Sequence, residues 1–173
     1  MDLIILPGNS VSNRAWAEAV ANQVKGMFET IRVVYYKHWE MGEKTIDFDI
    51  EDKELIKVTQ GLSEYVIFAK SAGTILSLRG INEGILKPVK NVFCGFPLKF
   101  GRSLNQNVDE WLPKLRIPTV VIQNTEDPVM TYKEMSEYME SVNQKIRAVE
   151  TGGNTHDYEN YEVIKMELSA DVA

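Results

Sequence analysis

The chain has 173 residues, 44% of them hydrophobic, with a formal net charge of −6 and a single cysteine. That length is one domain (1–173) by expectation and is long enough to bury a sizeable core. Its acidic balance and scattered lysines and arginines argue against nucleic-acid and anionic-membrane partners, which need a basic face, and one cysteine allows neither an intrachain disulfide nor a thiolate zinc cluster.

Short apolar runs alternate with helical patterns along the chain. Leu3 to Leu6 reads as a buried strand, and Pro7-Gly8-Asn9-Ser10 is turn chemistry. Trp16, Ala19, Val20, Val24, Met27 and Phe28 recur at helical spacing, with Ser12 or Asn13 as N-cap. Ile31 to Tyr36 is a β-branched and aromatic strand. Asp49-Ile50-Glu51-Asp52 opens a second helix with its acids in the first turn, and Leu55, Val58 and Leu62 face inward. Tyr65 to Ala69 is a third strand. The helix that follows, from Ala72 to about Gly80, is apolar on most sides and should be the most buried. Val89 to Cys94 is a strand, Asn107 to Leu115 a helix, Pro118 to Ile122 a strand, Met130 to Val142 a helix, Ile146 to Val149 a strand and Tyr161 to Leu168 a closing helix.

Strand, loop and helix repeated about six times imply an α/β fold: a three-layer α/β/α sandwich on a mainly parallel sheet of about six strands. Right-handed crossovers then bring every strand's carboxyl end to one sheet edge, where ligands bind in such folds. The opening Met1–Gly8 lacks a basic leader and its apolar run stops at Pro-Gly, unlike a secretory signal. No segment approaches the roughly 20 apolar residues that span a bilayer. A soluble cytoplasmic protein is the expectation.

What lies just past the strand ends sorts the candidates: Gly8-Asn9-Ser10, Lys37-His38-Trp39, Ser71, Cys94-Gly95-Phe96, Asp127 and His156. In Ala69-Lys70-Ser71-Ala72-Gly73-Thr74, an apolar strand stops at a serine flanked at two residues on either side by small residues. A serine on a sharp strand-to-helix turn has its hydroxyl pushed above the sheet, and bulky neighbours at those positions would collide. Ser71, an acid and His156 follow in the chain order expected when such a serine is the nucleophile. The hydroxyl is inert at neutral pH unless an imidazole takes its proton, and that imidazole needs a carboxylate to hold its tautomer. Either Asp127 or its neighbour Glu126 can supply that carboxylate. The ordinary alternatives are an N-cap serine and a surface histidine.

These residues carry a resemblance that covers the whole chain. Leu6-Pro7-Gly8-Asn9 after the first strand, Ala69-Lys70-Ser71-Ala72-Gly73-Thr74, Asp127-Pro128-Val129 and His156 resemble the α/β-hydrolase superfamily. More narrowly, they resemble the small, lidless serine hydrolases of the retinoblastoma-binding-protein-9 type. The resemblance implies a minimal α/β-hydrolase fold without a cap domain. It assigns nucleophile, acid and base to the positions of Ser71, Asp127 and His156. It also implies an oxyanion hole built from the Ala72 N–H and one from the first loop, at Asn9 or next at Ser10. Two departures stand out: Ala69 occupies a position that is commonly Gly, and the first loop reads Pro-Gly-Asn instead of His-Gly.

Other residues take plainer readings. His38 precedes Ser71 in the chain and, with Trp39, is expected as a pocket wall or substrate contact. The segments Lys37–Asp49 and Phe96–Val108 should wall the pocket with Trp39, Met41, Phe96, Leu98 and Phe100. Lys70, adjacent to Ser71 on an extended segment, points away from it and is a poor base; it should pair with a carboxylate. Cys94 should be a buried, inert thiol. The first loop lacks the spacing and Lys-Ser/Thr pair of a phosphate loop, and no metal-ligand constellation exists. The expected activity is therefore hydrolysis of a small or medium acyl ester on a small-molecule substrate. An amide or thioester is equally within the triad's chemistry. No cofactor is implied, and the protein is expected as a monomer or homodimer. The rivals are a non-catalytic binding protein on the same fold and, more weakly, a flavodoxin-like nucleotide or flavin binder.

Overall fold

The computed structural model describes residues 1–170; the last three residues of the expected domain, 171–173, lie outside them. In chain order the elements are β1 (Asp2–Leu6), α1 (Asn13–Gln23), β2 (Ile31–Val33), α2 (Lys37–Met41), α3 (Phe48–Thr59), β3 (Tyr65–Lys70), α4 (Ala72–Asn82), β4 (Lys90–Cys94), α5 (Leu98–Ser103), α6 (Val108–Trp111), a 3₁₀ turn (Leu112–Lys114), β5 (Thr119–Asn124), α7 (Tyr132–Val142), β6 (Arg147–Thr151) and α8 (Tyr161–Ser169). The strands form one sheet in the order β2-β1-β3-β4-β5-β6. Every neighbouring pair is parallel.

Strand alternation divides the core into two layers. Ile4, Leu6, Ile67, Ala69, Phe93 and Val121 face one layer, completed by Leu55 of α3, Ile75 and Leu76 of α4, and Met135 and Met139 of α7. Leu3, Ile5, Val66, Phe68, Val92 and Cys94 face the other, covered by Trp16, Ala17 and Val20 of α1 and by Ile164 and Leu168 of α8. This is the three-layer α/β/α sandwich of a minimal α/β-hydrolase fold, with no cap. The helix α4 is buried along most of its length, from Ala72 to Leu78 and at Gly80. Among the described residues no helix is long and apolar enough to cross a membrane.

Several boundaries differ from the sequence reading, each for a local reason. The first helix stops at Gln23, so Met27 and Phe28 fall outside it; Gly26 takes φ +87° and turns the chain back toward β2. Ser12 is the N-cap residue of α1 but makes no side-chain capping bond. The second long helix begins at Phe48, because Asp47 caps it by accepting from the Asp49 and Ile50 N–H groups. The segments expected to be irregular contain the short helices α2 and α5. The strand read as Ile31–Tyr36 leaves the ladder after Val33, and Tyr36 turns its hydroxyl onto the Pro7 carbonyl at 2.7 Å.

Parallel ladders and helices on both faces put the carboxyl ends of all six strands at one edge. The order reverses between β1 and β3. The loop after β1 leads to α1 on one face, and the turn after β3 leads to α4 on the other. The crevice lies between these two departures.

Candidate active site

Ser71 stands between the end of β3 at Lys70 and the start of α4 at Ala72. Its backbone takes φ 50° and ψ −121°, a left-handed conformation that a residue with a Cβ rarely adopts. Such a conformation costs about 1–3 kcal/mol and persists only where its surroundings enforce it. Here the Ser71 N–H donates to the Cys94 carbonyl at 2.9 Å, and the Ser71 carbonyl accepts from the Thr74 N–H at 2.8 Å and the Thr74 hydroxyl at 2.7 Å. As the first residue of α4, Ala72 has no intrahelical acceptor for its N–H.

The small residues around Ser71 have different reasons. A Cβ on Gly73 would stand 2.3 Å from the Leu6 carbonyl oxygen and 2.6 Å from that of Pro7. Sequence reasoning put the collision inside the turn; at Gly73 it is instead with the end of the neighbouring strand β1. Ala69 is fully buried and packs in the α4-side layer.

The acid and the histidine come from the loops after β5 and β6. Asp127, 1% exposed, takes His156 Nδ1 at 2.8 Å on Oδ2 and 3.0 Å on Oδ1. It also accepts from the Tyr158 hydroxyl at 2.5 Å and from the Val129 N–H at 2.8 Å. Glu126 is exposed, and its N–H is tied to the Gly153 carbonyl. Burial by itself would raise the Asp127 carboxyl. The hydrogen bonds from His156, Tyr158 and the Val129 N–H outweigh it, and the group titrates below its ordinary range. Burial first, and then the bond to Asp127, push the Tyr158 hydroxyl far up, so Tyr158 keeps its proton and donates it.

With Nδ1 turned to the carboxylate, Nε2 is the nitrogen of His156 that a neutral ring would leave with its lone pair. Nε2 is buried and has no hydrogen-bond partner among the described residues. No Ser71 Oγ–His156 Nε2 hydrogen bond is formed. Just past the end of β4, Gly95 leaves the room that the imidazole occupies. A Cβ there would stand 2.8 Å from His156 Cε1 and 2.6 Å from Tyr158 Cε2, and its φ of +62° suits glycine. Gly95 follows Cys94, the residue whose carbonyl holds the Ser71 N–H.

The two loops are stitched together. The Asn124 side chain donates to the carbonyls of Thr155 (2.9 Å) and Asp157 (3.1 Å) and accepts from the Thr151 hydroxyl (2.7 Å). Tyr158 accepts the Asn124 N–H at 3.2 Å, and its carbonyl takes the Trp16 indole N–H at 2.8 Å. Asn124, Gly95 and Tyr158 were not singled out for these roles from sequence. The glycine after an apolar strand and a tyrosine two residues beyond the candidate histidine were the available signals.

The remaining candidates fall in different places. Asn9 lies after β1, half-buried; Ser10 is exposed and its hydroxyl pairs with that of Ser12 at 3.0 Å. His38 is 2% exposed, with its Nε2 on the Asn9 carbonyl at 2.8 Å, and the Trp39 indole N–H reaches the same oxygen at 2.7 Å. Both rings expected as a pocket wall or substrate contact thus bond the first loop. Phe96 is fully buried in the α4-side core, and Leu98 nearly so; neither offers a face to a ligand in this state. Met41 is exposed. Lys70 is buried in the opposite layer, with Nζ 3.8 Å from Asp157 and 5.0 Å from the Trp16 ring centre. Burial pushes the Cys94 thiol far up, so it stays protonated. Among the described residues no cluster of three His, Cys, Asp or Glu side chains could hold a metal ion. A cavity of 610 Å³ opens at the opposite sheet edge, beside Leu115, Pro118 and Ile146, and no triad candidate lines it.

No protein-family model matches the chain, and no curated protein matches it in sequence. Solved structures do resemble it. An N-formylmaleamic acid deformylase from Pseudomonas putida superposes with a TM-score of 0.68 at 9% identity, covering 95% of this chain and 91% of that one. An uncharacterized protein from Bacillus cereus gives a TM-score of 0.74 at 16% identity over 96% of this chain; the match spans 57% of that protein. The mouse α/β hydrolase domain-containing protein 10 gives 0.68 at 11% identity, covering 96% of this chain and 87% of that one. At these identities the likeness shows a shared fold.

Proposed function

We propose that the chain is a small, lidless serine hydrolase, akin to the retinoblastoma-binding-protein-9 type, that cleaves a small or medium acyl ester through an acyl-enzyme. Ser71 is the nucleophile, His156 the general base and acid, and Asp127 the residue that orients and stabilises His156. The observation that carries this reading is the His156 imidazole, fixed by Asp127 through Nδ1 at 2.8 Å while its buried Nε2 has no partner. A nitrogen left in that state is a base without a proton to take.

In the proposed reaction Ser71 Oγ attacks the carbonyl carbon as its proton passes to His156 Nε2. The backbone N–H groups of Ala72 and Asn9 hold the oxygen as it becomes negative. His156 then returns the proton to the departing alkoxide. A water, deprotonated by the same nitrogen, releases the acid. The chemistry is shared by esters, thioesters and amides, and the ester is the first substrate to test.

Intact-mass measurement after exposure to a fluorophosphonate probe tests this reading. Wild type should take one adduct and Ser71→Ala none, with parallel loss of p-nitrophenyl butyrate hydrolysis. A folded wild type that takes no label and turns over no ester would instead favour a non-catalytic binding protein on this fold. The unformed Ser71–His156 hydrogen bond is the observation on that side.

A further inference from the structure

The segment between β2 and α3 does work on the first loop that the triad does not explain. Its side chains reach the loop after β1 at two carbonyls. The Tyr36 hydroxyl donates to the Pro7 carbonyl at 2.7 Å. His38 Nε2 (2.8 Å) and the Trp39 indole N–H (2.7 Å) converge on the Asn9 carbonyl. The three rings pack on one another, Tyr36 against His38 at 5.6 Å and 25°, and against Trp39 at 5.0 Å. The buried Glu51 carboxylate of α3 takes the Lys37 N–H at 2.7 Å and so fixes the start of α2.

The Asn9 side chain is used as fully as its carbonyl. Its Nδ2 donates to the Lys44 carbonyl and its Oδ1 accepts from the Ile46 N–H, each at 2.8 Å. A carbonyl oxygen has two lone pairs, and both of those on Asn9 are taken. Of the polar groups of Asn9, the backbone N–H is left, and no described residue accepts it. The loop that holds it is pressed against the nucleophile turn, because the Leu6 and Pro7 carbonyls occupy the space a Gly73 side chain would need.

We infer that His38 and Trp39 are positioning residues: by clamping the Asn9 carbonyl they fix the first-loop peptides so that an unpaired N–H, that of Asn9, faces the oxyanion formed at Ser71. This rests on the hydrolase reading above and deepens it. Preorganisation is the physical point. A donor aimed in advance costs no reorganisation as charge develops, whereas a loop free to rotate its peptides would turn that N–H to water. His38 must donate from Nε2 for the clamp to hold, so that nitrogen is not available to take a proton from Ser71.

The test is steady-state kinetics on p-nitrophenyl butyrate, together with inhibition by an alkyl trifluoromethyl ketone, whose serine adduct bears the oxyanion. Trp39→Phe removes one donor and keeps an aromatic ring. His38→Leu removes the other, and His38→Gln supplies a replacement N–H. Trp39→Phe should lower kcat about tenfold, and the Trp39→Phe/His38→Leu pair about 10²-fold, the scale of losing one oxyanion donor. KM should stay within about twofold, because the interaction is made in the transition state. The inhibition constant for the ketone should rise in step with the fall in kcat/KM, and His38→Gln should recover most of the His38→Leu loss. A folded double variant with wild-type kcat, a loss carried by KM alone, or a His38→Gln as impaired as His38→Leu would overturn the clamp. Should the double variant fail to fold, Trp39→Phe and His38→Gln decide the matter by the same criteria. A folded wild type that takes no fluorophosphonate label would overturn the hydrolase reading itself, and the inference with it.

Discussion

The two histidines make an instructive pair. Both follow the carboxyl end of a strand at the same sheet edge, and both are held by one ring nitrogen. His156 is gripped through Nδ1 by a carboxylate, leaving a buried Nε2 unpaired. His38 spends Nε2 on the Asn9 carbonyl and keeps a buried Nδ1 with no hydrogen-bond partner. The edge of a parallel sheet gathers reactive side chains without regard to role. Which nitrogen the surroundings occupy then separates the proposed proton carrier from the proposed brace.

The sharpest way to break this contrast is to disturb the grip on His156. Asp127→Asn should leave the loop in place but favour the wrong tautomer, and kcat for ester hydrolysis should fall about 10⁴-fold. A variant retaining a tenth of wild-type kcat would mean that Asp127 does not set the tautomer. Gly95→Ala pushes a methyl into the His156 ring and strains a positive φ; a displacement near 1 Å should cost about 10²-fold in kcat. Its Ser71 should still label with fluorophosphonate, only more slowly.

Smaller changes sharpen the comparison. Tyr158→Phe removes one of the three bonds that hold Asp127 below its ordinary range. Its kcat should drop about tenfold, within the range seen for positioned hydrogen bonds. Its stability to urea should be lost at a higher pH on acidification than that of wild type, because the Asp127 carboxyl then protonates sooner; unchanged acid sensitivity would count against Tyr158 tuning Asp127. On the His38 side, burial raises the Glu51 carboxyl from 4.5 to about 7. The folded chain therefore holds that proton more tightly than the unfolded chain. The resulting stability is fully present below 4.5 and is lost as pH rises through about 7. Glu51→Gln does not titrate, so its urea midpoint should gain on wild type as pH rises across that window. Parallel midpoints would show that Glu51 is not buried as an acid.

The alternation of strand and helix was legible throughout because β-branched runs and 3.6-residue periodicity survive in these segments. The turn at Ser71 was legible because small residues must flank it. Asp127 and Glu126 were not separable by spacing, since adjacent residues past the same strand end satisfy it equally. The loop's own bonds decide it: the Val129 N–H folds back on Asp127, while Glu126 is drawn toward Gly153 and solvent. His38 and Trp39 were found as edge residues but read as a wall, because nothing in local sequence tells which carbonyl a donor will reach. Phe96 was misplaced for a related reason. Its position past β4 suggested the pocket, yet its N–H is held by the Gln123 side chain at 3.0 Å while the ring is buried in the core. Tyr158 and Asn124 act only between loops far apart in the chain, and no periodicity records that.

The all-parallel sheet has a consequence for how the proposed site is assembled. Without a single hairpin, every ladder must close a long excursion through a helix before it gains anything, so loop-closure entropy falls due early. Ser71 depends on the β3–β4 contact, Asp127 on β5 and His156 on β6. After dilution from urea, fluorophosphonate reactivity should therefore return last, later than the far-ultraviolet signal of the helices. The reactivity proposed for Ser71 would in that sense be a clock for completion of folding, readable by mass.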